Sequence, residues 1–239
     1  MRASLFVTCL VDQFHPEIGL GVITVLERLG VTCDVPAGQT CCGQPAYNAG
    51  CADEARIVAR QFLRTFRNAD QVVAPSGSCV SFVRRHLPWL FAPDSPERAE
   101  AEALVSRTHE FSQFLVHALA VEDVGAKFPH RVTYHDSCHL LRELKVKDEP
   151  RRLLARVQGL EIVEMPTSES CCGFGGVFSV KHPDISAAMA TEKVDAVRRT
   201  GAECVVACDA GCLMNIRGLM HRRGVHVQAM HLAEVLARA

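Results

Sequence analysis

The chain has 239 residues, 48% of them hydrophobic, with 26 lysines and arginines against 27 aspartates and glutamates. That is ample for a folded core, and a net charge of −1 without any basic block excludes a surface built for nucleic acid or anionic membrane. No stretch approaches the roughly 18 apolar residues of a spanning helix, and the short apolar run ending at Val11 has no cleavage site behind it, so it reads as the first strand of a soluble, cytoplasmic protein.

That strand is expected over residues 4–10, followed by a helix over Glu17–Leu29 that Gly30 stops. Val31–Val35 reads as a short strand running into Cys41-Cys42-Gly43-Gln44-Pro45. Apolar residues at Ala55, Val58, Ala59, Phe62, Leu63 and Phe66 have helical spacing and predict a helix over Ala52–Ala69. A strand at Gln71–Ala74 leads into Pro75-Ser76-Gly77-Ser78-Cys79, and helices follow at Val80–Leu90, Glu97–Arg107 and Phe111–Ala120. The pattern then restarts with a strand at Arg131–His135, a helix around Pro150–Val157 and a return through Glu161–Glu164. A long helix at Pro183–Arg199, a strand at Cys204–Cys208, a helix at Cys212–Arg222, a strand at Val225–Gln228 and a helix at His231–Arg238 complete the chain. Strand and helix alternate throughout, which predicts an α/β fold of parallel sheets covered by helices.

Twelve cysteines are far above ordinary usage, and in a reducing compartment such an excess points to metal or catalysis before disulfides. Eight of them form a duplicated frame: Cys9, Cys41, Cys42 and Cys79, then Cys138, Cys171, Cys172 and Cys212, at offsets of 129, 130, 130 and 133 residues. Unrelated core cysteines have no reason to keep register, so one unit is used twice, over residues 1–125 and 126–239. The surroundings repeat too, with Val72-Val73-Ala74 before Cys79 answering Val205-Val206-Ala207 before Cys212. The expectation is therefore two pseudo-symmetric repeats of a parallel-sheet α/β unit with cysteine sites at the C-terminal strand ends, where such folds gather their chemistry.

Thiolate sulfur is the soft ligand that iron–sulfur clusters and zinc prefer. Structural zinc usually draws on close cysteine pairs, whereas these ligands are spread over whole strand–helix units, a placement that suits a cluster better. Gly43 and Gly173 follow the paired cysteines where the backbone has to turn sharply. Cys33, Cys51 and Cys204 have no counterpart in the other copy and read as core or surface thiols. His135 and His139 flank Cys138, with Arg142 close behind, and could stabilise an anionic centre or grip a carboxylate. His15, His182 and His231 read as local caps or surface residues, and Trp89 and Phe91 as core or interface. Nucleophile-elbow, phosphate-loop and dinucleotide fingerprints are absent from the sequence.

Phe6-Val7-Thr8-Cys9, Cys41-Cys42-Gly43-Gln44-Pro45-Ala46, Gly77-Ser78-Cys79, Val146-Lys147-Asp148-Glu149-Pro150, Cys171-Cys172-Gly173-Phe174-Gly175-Gly176 and His231-Leu232-Ala233-Glu234-Val235-Leu236 span the whole chain. Together they resemble the cysteine-rich CCG domain of heterodisulfide reductases, glycolate oxidase iron–sulfur subunits and lactate-utilisation proteins. The resemblance implies an iron–sulfur subunit of a cytosolic complex that oxidises L-lactate to pyruvate, with a ferredoxin-like iron–sulfur subunit and a third small subunit as partners. It also implies one four-iron, four-sulfur (4Fe-4S) cluster per repeat, held by the eight framed cysteines. The pattern has a fifth cysteine in each copy, and here Ser76 and Asp209 stand in its place. Cys208 precedes Asp209, but a shift of one residue along a strand turns a side chain to the other face, so four cysteines per cluster are expected. Two other readings remain open at this point: heterodisulfide-type thiol chemistry, and a zinc-stabilised scaffold without catalysis.

Overall fold

The inner strands are made of residues apolar on both faces, the composition of a sheet covered on both sides. In the computed structural model, which describes residues 1–239, Val72–Ala74 and Cys204–Ala207 are buried throughout. They are the third strand of the first sheet and its counterpart in the second. The first sheet contains β1 (Arg2–Leu5), β2 (Thr32–Asp34), β3 (Val72–Ala74) and β4 (Thr108–Glu110), in the order β2-β1-β3-β4. The second contains β5 (Arg131–Tyr134), β6 (Glu161–Ile162), β7 (Cys204–Ala207) and β8 (Gln228–His231), in the order β6-β5-β7-β8. All pairings are parallel, and the registers Ser4↔Val72 and Val132↔Cys204 lock the two central strands of each sheet together. The fold is thus α/β in two repeats of one unit. In each, the chain leaves the first strand on one side and returns on the other, creating a switch point where loops diverge above the carboxyl ends.

Several predicted boundaries move. The first strand stops at Leu5, and Cys9 opens a short helix, Cys9–Phe14; its counterpart Cys138–Arg142 was equally hidden, because one and a half turns carry no periodicity. The segment Thr108–Glu110 was not expected as a strand, since its threonine, histidine and glutamate carry no apolar run. The strand predicted at Val225–Gln228 lies instead at Gln228–His231, while Val225 and Val227 pack beside the smaller apolar cluster under the second sheet. Val80–Leu90 divides into an α-helix, Gly77–Arg85, and a 3₁₀ turn, Leu87–Leu90, because Pro88 cannot continue the hydrogen-bond ladder. Phe91 is buried as expected, but Trp89 is exposed, with the Arg98 guanidinium 4.0 Å over its ring.

The repeats exchange their last helices. Helix Leu232–Ala237 of the second packs on Pro16–Arg28 of the first, and Phe111–Gln113 of the first packs on Asp148–Leu154 of the second. Backbones meet closely at one of these crossings: a Cβ on Gly21 would lie 2.9 Å from the Ala233 carbonyl oxygen. Arg28 fastens it by donating to the carbonyls of Val124 and Leu236 at 3.0 and 3.1 Å. A third crossing sets Gly77, at the start of Gly77–Arg85, against Leu140 of Cys138–Arg142, with room for hydrogen only: a Cβ would be 2.6 Å from Leu140 Cβ. One apolar core of 51 buried residues draws on both repeats, and a smaller cluster of nine lies within the second. No helix is long and apolar enough to cross a membrane.

Candidate metal centre

Every framed cysteine lies beyond the carboxyl end of a strand. Cys9 and Cys79 follow β1 and β3, the neighbours of the first switch point, while Cys138 and Cys212 follow β5 and β7. The two Cys-Cys-Gly loops follow the edge strands β2 and β6. The exchange of helices turns the carboxyl ends of both sheets toward each other, and all eight cysteines line one cavity of about 200 Å³. Gln44, Ser76, Ser78, His139, Phe174 and Asp209 also face it.

Gly43 and Gly173 adopt φ of 99° and 84°, a region that costs a residue with a Cβ. The turn aims backbone N–H groups at the sulfurs: Gly43 N–H meets Cys41 Sγ at 3.5 Å, and Gly173 N–H meets Cys171 Sγ at 3.4 Å. Phe174 N–H adds a contact to Cys172 Sγ at 3.5 Å. Such donors stabilise thiolate over thiol. Thr8, immediately before Cys9, has φ of 69° and is buried, so strained backbone aims the first cysteine as well.

The sulfurs are crowded. Cys9 Sγ donates to Cys41 Sγ across 3.7 Å, close to the separation of about 3.8 Å that two thiolates take on one tetrahedral ion with metal–sulfur bonds near 2.3 Å. Hydrogen bonds from Cys42 and then Cys9 hold Cys41 down to about 3. The same bond to Cys41 pushes Cys9 up, ahead of burial, and Cys42 is raised chiefly by Cys41 and Cys79. In the second frame Cys138 and Cys172 hold Cys171 down to about 2, while Cys138 and Cys172 are themselves raised, mainly by their bonds to Cys171. Cys172 also lowers Cys212 to about 6. Four sulfurs this close cannot all ionise against one another, and a cation among them removes the repulsion and releases the protons. The donor set therefore suits a thiophilic metal or an iron–sulfur cluster.

Ser76 and Asp209, where the resemblance implies a further cysteine in each copy, face each other. Ser76 and Asp209 form an isolated antiparallel bridge, and Asp209 Oδ2 accepts from Ser76 Oγ at 3.2 Å and from Ser78 N–H at 3.0 Å. Its other oxygen accepts from Gly211 N–H at 3.1 Å, capping Ala210–Arg222. Oδ2 thus joins the two repeats, while Oδ1 caps the helix that carries Cys212.

The auxiliary candidates separate. His139 lines the cavity, 3.6 Å from Cys138 Sγ through Nδ1 and 3.5 Å from Gln44 Nε2 of the other repeat. Arg142 is exposed and donates to the Glu169 carbonyl at 3.3 Å, away from the cavity. Cys208 points into the core, as strand alternation requires, and accepts from Tyr134 Oη at 3.3 Å. His135 is fully buried, and its ring lies beside Cys172 and Cys212, the three ligand atoms all within 4.8 Å of one another. Cys33, Cys51 and Cys204 stand outside the cavity, and burial pushes Cys33 up to about 11 and Cys204 up to about 12, values of inert thiols. His231 caps its helix in a reciprocal box with Glu234.

Lys193 escaped the reading of the sequence. Its spacing from Ala190, Val194 and Val197 puts it on the buried face of Pro183–Thr200, which is the signal that would have found it. Fully buried, Lys193 donates to the Thr167 and Ser168 carbonyls, and burial brings it down to about 8 against the opposing pull of Cys172 and Cys212.

The CCG cysteine-rich domain matches this chain twice, over residues 3–84 and 132–217. Lactate utilization protein A of Geobacillus kaustophilus is 50% identical over 236 residues, covering 99% of this chain and 98% of that protein. Lactate utilization protein A of Bacillus subtilis is 48% identical over 236 residues, covering 99% of each chain. Among solved structures, a hypothetical protein from Helicobacter pylori superposes with a TM-score of 0.67 at 10% identity, over 98% of this chain and 48% of that one, a likeness of fold alone. Two domain matches and full-length relatives at this identity place the chain in the cysteine-rich CCG-domain family, with the domain present in it twice.

Proposed function

We propose that this protein is an iron–sulfur redox subunit of a cytoplasmic complex that oxidises L-lactate to pyruvate. The observation that carries the reading is the convergence of all eight framed cysteines on one cavity. Cys9, Cys41, Cys42 and Cys79 would hold one 4Fe-4S cluster, and Cys138, Cys171, Cys172 and Cys212 the other. A bound cluster supplies one-electron transfer at a potential set by its charge, hydrogen bonds and exposure. The chain's own part is to deliver deprotonated sulfur, through Gly43, Gly173 and Phe174 N–H, and to keep the centres in a cleft walled by both repeats. Lactate oxidation yields two electrons and two protons, so the electrons need acceptors; a ferredoxin-like subunit and a third small subunit are the proposed partners. The names of the full-length relatives support the substrate. Loss of both fifth cysteines to the Ser76–Asp209 bridge weighs against heterodisulfide-type chemistry.

Iron, sulfide and zinc content with electron paramagnetic resonance, on anaerobically purified protein, tests this. Iron and sulfide in both frames with a reducible signal are expected, and Cys42→Ser or Cys172→Ser should remove one centre while Cys33→Ser and Cys51→Ser leave both. Zinc without iron after anaerobic reconstitution would overturn the redox reading in favour of a scaffold.

A further inference from the structure

The two cysteine frames match, but their surroundings do not. At the residue that follows the first strand of each sheet, the first repeat has Phe6 and the second has His135. Phe6 packs edge-on against Phe62 and Phe66, with ring centroids 5.0 and 5.6 Å away, and brings no polar atom to its frame. His135 brings an imidazole. Its Nδ1 lies 3.2 Å from the Ser168 carbonyl oxygen, which can only accept, so Nδ1 carries the hydrogen and, in the neutral ring, Nε2 keeps its lone pair. That carbonyl is itself held, by Asp136 N–H at 3.1 Å and by Lys193 Nζ at 3.3 Å. The buried Nε2 has no hydrogen-bond partner, a costly state for a polar atom with 0% of its residue exposed. The ring is set beside Cys172 and Cys212, with the three donor atoms within 4.8 Å of one another.

We propose that His135, through Nε2, is a metal ligand of the second centre, a donor with no counterpart in the first. This rests on the reading that the second frame holds a metal centre. A metal-bound imidazole ordinarily donates its other N–H to a carbonyl or carboxylate, which sets tautomer and ring orientation, and Ser168 occupies that place here. Asp209 also lines the cavity, but its oxygens are committed to Ser76, Ser78 and Gly211. A neutral imidazole added to four cysteines in one frame only makes the two centres unequal in potential.

The test is pulsed electron paramagnetic resonance on wild-type protein with ¹⁵N-labelled histidine, anaerobically loaded and reduced. One strongly coupled histidine nitrogen is expected, lost in His135→Phe, which copies the first repeat, and kept in His139→Asn. Should His135→Phe fail to fold, the wild-type and His139→Asn spectra together still decide. Full iron content with no directly coupled nitrogen, or a coupling that disappears with His139, overturns the inference and leaves the cluster reading standing. Protein that takes up no metal overturns both. Zinc in place of iron removes only the redox reading if X-ray absorption at the zinc edge finds an imidazole nitrogen that His135→Phe removes; a sulfur-only shell overturns the ligand as well.

Discussion

Replacing Gly173 with alanine should be considerably more damaging than the same change at Gly43, although the two glycines end identical tripeptides. Both have positive φ, 84° and 99°, so each alanine incurs a backbone penalty of about 1–3 kcal/mol. Around Gly43 there is room, since the nearest atoms to a new Cβ, the Ala55 carbonyl oxygen and a Phe82 ring carbon, are both at 3.5 Å. At Gly173 the Cβ would meet the Ser186 carbonyl oxygen at 2.6 Å and Met189 Cβ at 3.1 Å. That oxygen belongs to helix Pro183–Thr200 and cannot swing aside, and Ser186 Oγ is tied back to the Gly173 carbonyl at 2.7 Å. Relief requires the helix to shift, an overpacking cost of about 1–3 kcal/mol more. For a chain of this size 1 kcal/mol moves the melting temperature by roughly 2–4 °C. Gly43→Ala should therefore lower the midpoint of the metal-free protein by about 6 °C and Gly173→Ala by about 12 °C, taking mid-range values. Calorimetry under reducing conditions measures both, and iron content after reconstitution should fall more in the second frame. Equal losses, or a Gly173→Ala protein as stable as wild type, would refute the idea that helix contact distinguishes the repeats.

Glu110 caps Phe111–Gln113 from a fully buried position, and burial raises it to about 7 from 4.5. The folded state then holds a proton that the unfolded chain has released, so this stability is complete below about pH 4.5 and is lost as pH rises through 7, a loss on the order of 3 kcal/mol. Glu110→Gln should flatten that decline between pH 5 and pH 8 in thermal melts of metal-free protein; an unchanged slope contradicts it. Arg151 grips the buried Asp136 carboxylate through two bonds of 2.8 Å, and Arg151→Met should cost about 3–5 kcal/mol by leaving that charge unpaired, with Asp136→Asn in the same chain recovering most of it in urea titrations. A single-mutant loss below about 1 kcal/mol would show the pair to be solvated. Removing the chain from Leu232 onward takes away Leu232, Val235 and Leu236, all fully buried, at roughly 1.5–3 kcal/mol each. That approaches the whole stability of an ordinary domain, so the truncated protein should unfold without a cooperative transition; a sharp melt would mean that the exchanged helix is dispensable.

Much of this protein could be read along the line of the chain. Strand–helix alternation and apolar runs such as Val72-Val73-Ala74 reveal a covered parallel sheet, and constant offsets between eight cysteines reveal a doubled unit, because periodicity and register are properties of sequence order. The direction of Cys208, away from the cavity, also follows from strand alternation. Short helices such as Cys9–Phe14 and the polar strand Thr108–Glu110 escaped, since too few residues carry too weak a pattern against tertiary packing. Other features had no linear signal at all. That both frames open on one cavity depends on exchanged helices, and that Ser76 answers Asp209 depends on contact across 133 positions of chain. His135 could be suspected from its place beside Cys138, yet its tautomer, and so its free Nε2, is set by a carbonyl 33 residues away at Ser168. Sequence order carries which residues recur and on which face they fall; which of them meet is set by packing, where the burial of 51 side chains in one shared core brings distant segments within bonding distance.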